Sequence, residues 1–225
     1  MYPAWPEAVM RVATFLLFSL MFSGCSLTDS FSPETVNGVK NVSVSQARQD
    51  KTQLQATSRI FTEVRNLPAL PCCESLPVLF RLTNEDVIIE LSSGRSFSKL
   101  IRLEPKFSQQ NLVLTSLVSQ TVFPPQVQLY SEDFLLIDSL THYRYRHFTI
   151  RQPDRLELHI PLSDYLDPVR YLLVYTSEAA MADYTPLLDA EAQYESRIGI
   201  DVTPHPWFLA PHAPTGSLIL QTAHD

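Results

Sequence analysis

Leu156-Glu157-Leu158-His159-Ile160 alternates apolar and polar residues with a period of two. Successive side chains of a strand point to opposite faces, so Leu156, Leu158 and Ile160 are expected to face a core and Glu157 and His159 to face away. That is the pattern of a half-buried antiparallel strand. Tyr171-Leu172-Leu173-Val174-Tyr175 is apolar throughout, as expected of a central strand covered on both sides, and Leu112 to Val118 reads the same way. Gln126-Val127-Gln128-Leu129-Tyr130 alternates again. Val87 to Leu91 is a β-branched run ended by Ser92-Ser93-Gly94, Ser96 to Leu103 alternates loosely, and Ser217 to Leu220 forms a short last strand. Ser131-Glu132-Asp133 before Phe134 to Ile137 predicts a hairpin.

Strands recurring about every ten residues with turn signals between them predict an all-β fold, an antiparallel β-sandwich of jelly-roll or immunoglobulin-like type. The gaps are too short for the crossover helices of a parallel α/β sheet. One or two short helices are expected: Ser177-Glu178 can cap a run through Ala182, and Asp189 a second run to Arg197. Leu67 to Pro77 is a proline-rich turn.

Upstream of these strands lies an apolar run, Val12 to Phe22, preceded by Arg11 and followed by Ser23-Gly24-Cys25. A membrane-spanning helix needs about 20 apolar residues. This run is about half that and ends in small residues, the layout of a secretory signal. Small residues just before a cysteine are what lipoprotein processing requires, although Phe22 is bulkier than the usual leucine there. The expected organisation is a lipoprotein signal over residues 1–24, a flexible polar tether over 25–60 with room for a short helix between Val42 and Ser58, and a sandwich domain over 61–225. Translation is expected to start at Met10 rather than Met1, because Met1 to Glu7 carries two prolines, a tryptophan and a carboxylate. Several acyl chains on one cysteine give stable anchoring, so Cys25 is expected to fix the chain to a membrane. With Ser26 rather than an aspartate next, that membrane is expected to be the outer one of a Gram-negative cell, with the protein facing the periplasm.

Hydrophobic residues make up 45% of the chain, enough to bury a core, and the net charge of −7 is dispersed. No basic cluster offers a phosphate-binding surface, so nucleic acid is not an expected partner. With 5 glycines against 17 prolines, phosphate-cradling loops are disfavoured and rigid loops favoured. The histidines are scattered without metal-ligand spacing, and no G-x-S-x-G elbow occurs. Neither a metal, a cofactor nor enzymatic activity is expected.

Of three cysteines, Cys72 and Cys73 are adjacent. In an oxidising compartment they can close a disulfide between neighbours; the alternative is two buried thiols. The most unusual segment is His142-Tyr143-Arg144-Tyr145-Arg146-His147-Phe148. As a strand it places Tyr143 and Tyr145 on one face and Arg144 and Arg146 on the other. An aromatic face can carry a sugar ring; the plainer alternative is tyrosines packed at a core edge with arginines in water. Trp207, after Pro204-His205-Pro206, can likewise be a sugar platform or a loop plug.

As an ordered set, several segments resemble the maltose operon periplasmic protein (MalM-like) family. They are Leu70-Pro71-Cys72-Cys73, Leu112 to Val118, Val122-Phe123-Pro124-Pro125-Gln126-Val127, Tyr171 to Ser177, and Leu188-Asp189-Ala190, where this chain lacks a proline usual in the family. The resemblance spans roughly 67–220. It implies an exported, non-enzymatic accessory of maltose and maltodextrin transport, acting by weak sugar binding or by docking to an outer-membrane porin or another transport component. The alternative is a structural or protein-interaction lipoprotein of the envelope with no sugar role. Cys25→Ala is expected to move the protein from the membrane to the soluble fraction and to abolish incorporation of labelled palmitate. A variant that stays membrane-bound would exclude the lipid anchor.

Overall fold

The computed structural model describes residues 35–36, 39–40, 42–147, 153–187 and 209–223, all within the unit Glu34–Asp225. Cys25, Trp207 and the expected helix from Asp189 to Arg197 lie outside the described residues. In chain order the elements are β1 (Thr35–Val36), β2 (Val39–Lys40), helix α1 (Val44–Ala56), β3 (Ile60–Phe61), β4 (Ala69–Pro71), β5 (Val78–Leu82), β6 (Val87–Leu91), β7 (Gly94–Arg102) and β8 (Leu112–Leu117). There follow β9 (Gln126–Tyr130), β10 (Leu136–Leu140), β11 (Arg144–Arg146), β12 (Arg155–Ile160), β13 (Tyr171–Tyr175), helix α2 (Glu178–Met181), β14 (Tyr184–Pro186), β15 (Leu209–Pro211) and β16 (Gly216–Thr222).

Two sheets pack face to face. The first runs β10-β9-β13-β7-β6-β3, with β4 also on β7; the second runs β11-β12-β8-β16-β5. Their facing residues make one core: Phe97, Ile101, Val127, Leu129, Leu172 and Val174 from the first sheet meet Leu82, Leu112, Leu114, Leu158, Ile160, Leu218 and Leu220 from the second. The alternation read in β12 holds, with Leu156, Leu158 and Ile160 at 1% exposure or less and His159 exposed. Each fully buried leucine or isoleucine contributes about 1.5–3 kcal/mol. Exposed ion pairs such as Arg95–Glu90 contribute about 1 kcal/mol or less. The shared core therefore holds the two sheets together. It is close-packed: a Cβ on Gly216 would lie 2.6 Å from the Cβ of buried Phe123.

Among the described residues the fold is the expected β-sandwich with two helices, and strand pairing within it is antiparallel except at two short strands. β3 runs parallel to β6, and β4 runs parallel to β7 at Ala69↔Leu100. The proline-rich stretch thus begins as a strand rather than a turn. β6 and β7 meet in a tight hairpin, with Leu91 opposite Gly94 and Gly94 at φ +103°, a backbone region that glycine enters without a Cβ penalty.

Part of the span expected to be tether is folded. Ser43 caps α1 by accepting a hydrogen bond from the backbone N–H of Gln46 at 3.2 Å. Ala47, Asp50 and Leu54 point inward from this helix. Leu54 joins the main core, while Ala47 packs with Val42 and Ala213. Asp50, 3% exposed, accepts hydrogen bonds from Gln46 Nε2 at 2.7 Å, Asn84 Nδ2 at 3.0 Å and Thr215 Oγ1 at 2.7 Å. Removing that carboxylate would strand several donors, at a cost of about 1–3 kcal/mol for each one left buried and unpaired. The folded body therefore begins by Val42, not at residue 61.

A second polar lock joins α2 to β14 and β15. His212 is buried, with Nδ1 2.6 Å from the Ala180 carbonyl and Nε2 2.8 Å from Thr185 Oγ1. A carbonyl only accepts, so Nδ1 donates, and a neutral ring then accepts at Nε2 from the threonine hydroxyl. Burial lowers the His212 pKa, opposed by the Ala180 carbonyl and by Asp183. A base whose folded pKa is depressed contributes stability above its unfolded value and loses it as pH falls. Stability should therefore drop as pH falls below the ordinary histidine value of 6.5. A His212→Gln variant is expected to start less stable and to show a shallower decline between neutral pH and the onset of carboxylate protonation. Parallel denaturation curves for the two proteins would reject this role for His212.

Candidate functional site

The outer face of the first sheet is also apolar, and this creates the site. β13 sends Leu172 and Val174 into the sandwich core and Tyr171, Leu173 and Tyr175 to the other side. There they join Ile89, Leu100 and Tyr130 beneath a cover made by Phe61, Val64, Leu67 and Phe134. The cover comes from two places. Residues 60–67 cross the sheet as β3 and a single 3-10 turn, Val64–Asn66. Phe134 comes from the turn between β9 and β10.

The two parts of the cover leave a cleft of about 370 Å³ lined by Glu63, Val64, Arg65, Tyr130 and Phe134. Its size lies at the lower end of small-molecule sites. Phe134 stacks on Tyr171 with ring centroids 4.4 Å apart and planes 18° from parallel. Its backbone sits at φ +59°, a left-handed conformation that costs a non-glycine residue about 1–2 kcal/mol. The turn holds it there: Phe134 N donates to the Ser131 carbonyl at 3.2 Å, Leu135 N to Ser131 Oγ at 3.1 Å, and Ser131 N to the Leu135 carbonyl at 3.0 Å. The stack and the turn therefore outweigh the backbone strain.

Polar groups ring the cleft. Tyr130 donates its hydroxyl to Gln128 Oε1 at 2.6 Å, and Gln128 also hydrogen bonds Tyr175. Burial, with Tyr175 nearby, pushes the Tyr130 phenol up to about 12, so it remains neutral across the physiological range. Glu63 and Arg65 stand 3.8 Å apart on the opposite wall, both largely exposed. Arg170 pairs with Glu132 at 3.4 Å beside the same turn. Both charge signs are thus balanced around an aromatic floor. Such a site can hold a neutral molecule with an apolar face and a polar rim.

A second cleft, about 410 Å³, lies between α1, the β6–β7 hairpin and α2, over Leu54 and Met181. Its cations are committed: Lys51 Nζ donates to the Met181 carbonyl at 2.6 Å, and Arg95 pairs with Glu90 at 3.2 Å and donates to the Gln55 carbonyl at 3.2 Å. Burial lowers the Lys51 pKa. Among the described residues, no aromatic ring lines it. These contacts fasten α1 and α2 to the sheet, so the cleft reads as a structural seam.

Tyr143 and Tyr145 do share a face, and it is the inner one. Tyr145 pairs with buried Leu156 across β11 and β12, while Arg144 and Arg146 share the outer face with Glu157 and Arg155. Both tyrosines pack half-buried against Val122, Leu156 and Ala210. The Tyr145 hydroxyl donates to Asp154 Oδ1 at 2.5 Å, and burial and Asp183 raise the Tyr143 pKa. Neither ring is laid open as a platform. On the other face Glu157 accepts from Arg155 at 2.7 Å and Arg146 at 3.0 Å. Burial raises the Glu157 carboxyl, and the two guanidinium groups more than offset that and hold it below the ordinary carboxylate value. Among the described residues, no three His, Cys, Asp or Glu side chains are grouped to hold a metal ion.

Cys72 and Cys73 are joined as a disulfide between neighbours, with Cα atoms 3.4 Å apart, directly after β4. Cys72 N donates to the Arg102 carbonyl at 2.8 Å, and its side chain is 6% exposed within the main core. The bridge closes no long loop, so it acts on the local turn rather than through chain entropy. Unreduced, denatured protein is expected to offer no thiol from these two cysteines to an alkylating reagent. Labelling of both without reductant would exclude the bridge.

Comparison with known families gives a match. Residues 93–222, more than half of the chain, match a family described as maltose operon periplasmic protein precursor (MalM). The span runs from the β6–β7 hairpin to the end of β16. Curated proteins give no match, and solved structures give none. No helix among the described residues is long and apolar enough to cross a membrane.

Proposed function

Since the chain belongs to the maltose operon periplasmic protein family, we propose that it is a non-enzymatic accessory of maltodextrin transport, held to the periplasmic side of the outer membrane by acyl chains on Cys25. The family is periplasmic, associated with the maltose operon, and not a known enzyme family. The observation that carries the reading is this membership, taken with a cleft whose aromatic floor and balanced charges suit a neutral ligand better than a reacting one. The protein acts by binding sugar weakly, by docking onto a porin or another transport component, or by both. A lipid anchor complements either mode, because a tethered protein samples the same membrane surface as its partner and gains effective concentration.

A second reading, a protein-interaction lipoprotein of the envelope without a sugar role, is favoured by Leu135 and Leu136 at the β9–β10 turn and by Leu166, all more than half exposed. Uptake separates the two. Cells lacking the protein are expected to take up maltodextrin more slowly at limiting concentration and normally at saturating concentration, and a transport protein should co-purify from solubilised envelopes. Unchanged uptake at both concentrations, with no transport protein recovered, would favour the second reading.

A further inference from the structure

Resting on the transport reading above, we infer that the cleft between Phe134 and Glu63 is a glucan subsite, in which one neutral glucosyl ring lies against Phe134 while its hydroxyls are held by Glu63, Arg65 and Tyr130. A pyranose presents C–H groups on its flat faces and hydroxyls around its edge. The C–H groups carry slight positive charge and suit the negative face of an aromatic ring. Phe134 is half-buried with one face on Tyr171, which fixes its plane before any ligand arrives. Its left-handed backbone, braced through Ser131, fixes its position as well. Such preorganisation reduces the ordering cost that otherwise weakens the binding of flexible, heavily hydrated ligands.

The rim chemistry points to the same class. A carboxylate accepts from two hydroxyls, a guanidinium donates to two hydroxyl oxygens, and the Tyr130 phenol, whose proton is held by Gln128, keeps a lone pair that accepts. An anionic ligand would meet Glu63 and a cationic one Arg65, the two charges that line the cleft. A neutral polyol meets no uncompensated charge. The cleft is open and its polar wall largely exposed, so binding is expected to be weak and readily reversible, as a transport accessory requires.

The test is titration of the full, detergent-solubilised protein with maltohexaose, followed by calorimetry and tyrosine fluorescence. Half-saturation is expected in the millimolar range. Phe134→Gly removes the ring while relieving the left-handed strain, and Glu63→Ala removes an exposed carboxylate without touching the core. Each should weaken binding by about tenfold, the loss expected for one good contact. Tyr184→Ala, which removes a tyrosine 53% exposed on β14, should leave binding unchanged. Melting curves identify any variant that fails to fold, and Glu63→Ala alone then decides. Saturable binding that survives both substitutions places the sugar elsewhere and overturns the subsite while the transport reading stands. Absence of binding by the unmodified protein overturns the subsite together with the sugar-binding mode, leaving the docking mode.

Discussion

β13 has no polar face, and most of what lies outside the sandwich core follows from that constraint. Leu172 and Val174 are satisfied by the second sheet. Leu173, Tyr171 and Tyr175 require a second cover, because an apolar sheet face left in water forfeits its burial. The chain provides one cheaply, with a short segment, residues 60–67, and one turn residue, Phe134. A cover built from two small pieces does not close completely. The cleft is the gap between them, so a packing requirement and a candidate binding surface arise from the same residues. The sheet side of that gap, Tyr130, Phe134 and Tyr171, falls within the span shared with the family. The opposite wall, Glu63 to Arg65, comes from outside it.

The sandwich was legible because its signals are local. The period of two in β12 and the unbroken apolar run of β13 each state their environment within five or six residues, and Ser177 announces α2 in the same way. What escaped reading depends on partners distant in sequence. The short helix expected between Val42 and Ser58 forms as α1, but its attachment to the body was not legible, because only Ala47, Asp50 and Leu54 turn inward, and one of those is a carboxylate whose partners include Thr215 on the far side of the chain. β3 and β4 are too short to show a period, and their parallel pairing is fixed by β6 and β7 alone.

The same distinction explains the site. Alternation correctly put Tyr143 and Tyr145 on a common face. Which face that was depended on the pairing of β11 with β12, which sequence does not display. Local density of tyrosine and arginine drew attention to a strand whose rings pack inward. The more open aromatic pair, Phe134 with Tyr171, joins a turn residue to the first residue of β13 and shows no cluster in the sequence. The one available hint was Phe134 itself, a bulky residue in a tight turn where asparagine or glycine is usual.

Asp50 connects the first helix of the folded body to Thr215, the residue that leads into β16, and β16 lies between β8 and β5 inside the second sheet. Tension drawn along the backbone from the N-terminal side therefore reaches α1 before the two large sheets and is resisted there by the side-chain bonds of Asp50, Lys51 and Gln53 and by one buried leucine, Leu54. The strands behind it would be loaded only after α1 has come away. The helix is placed to serve as a mechanical fuse, yielding before the two-sheet body does.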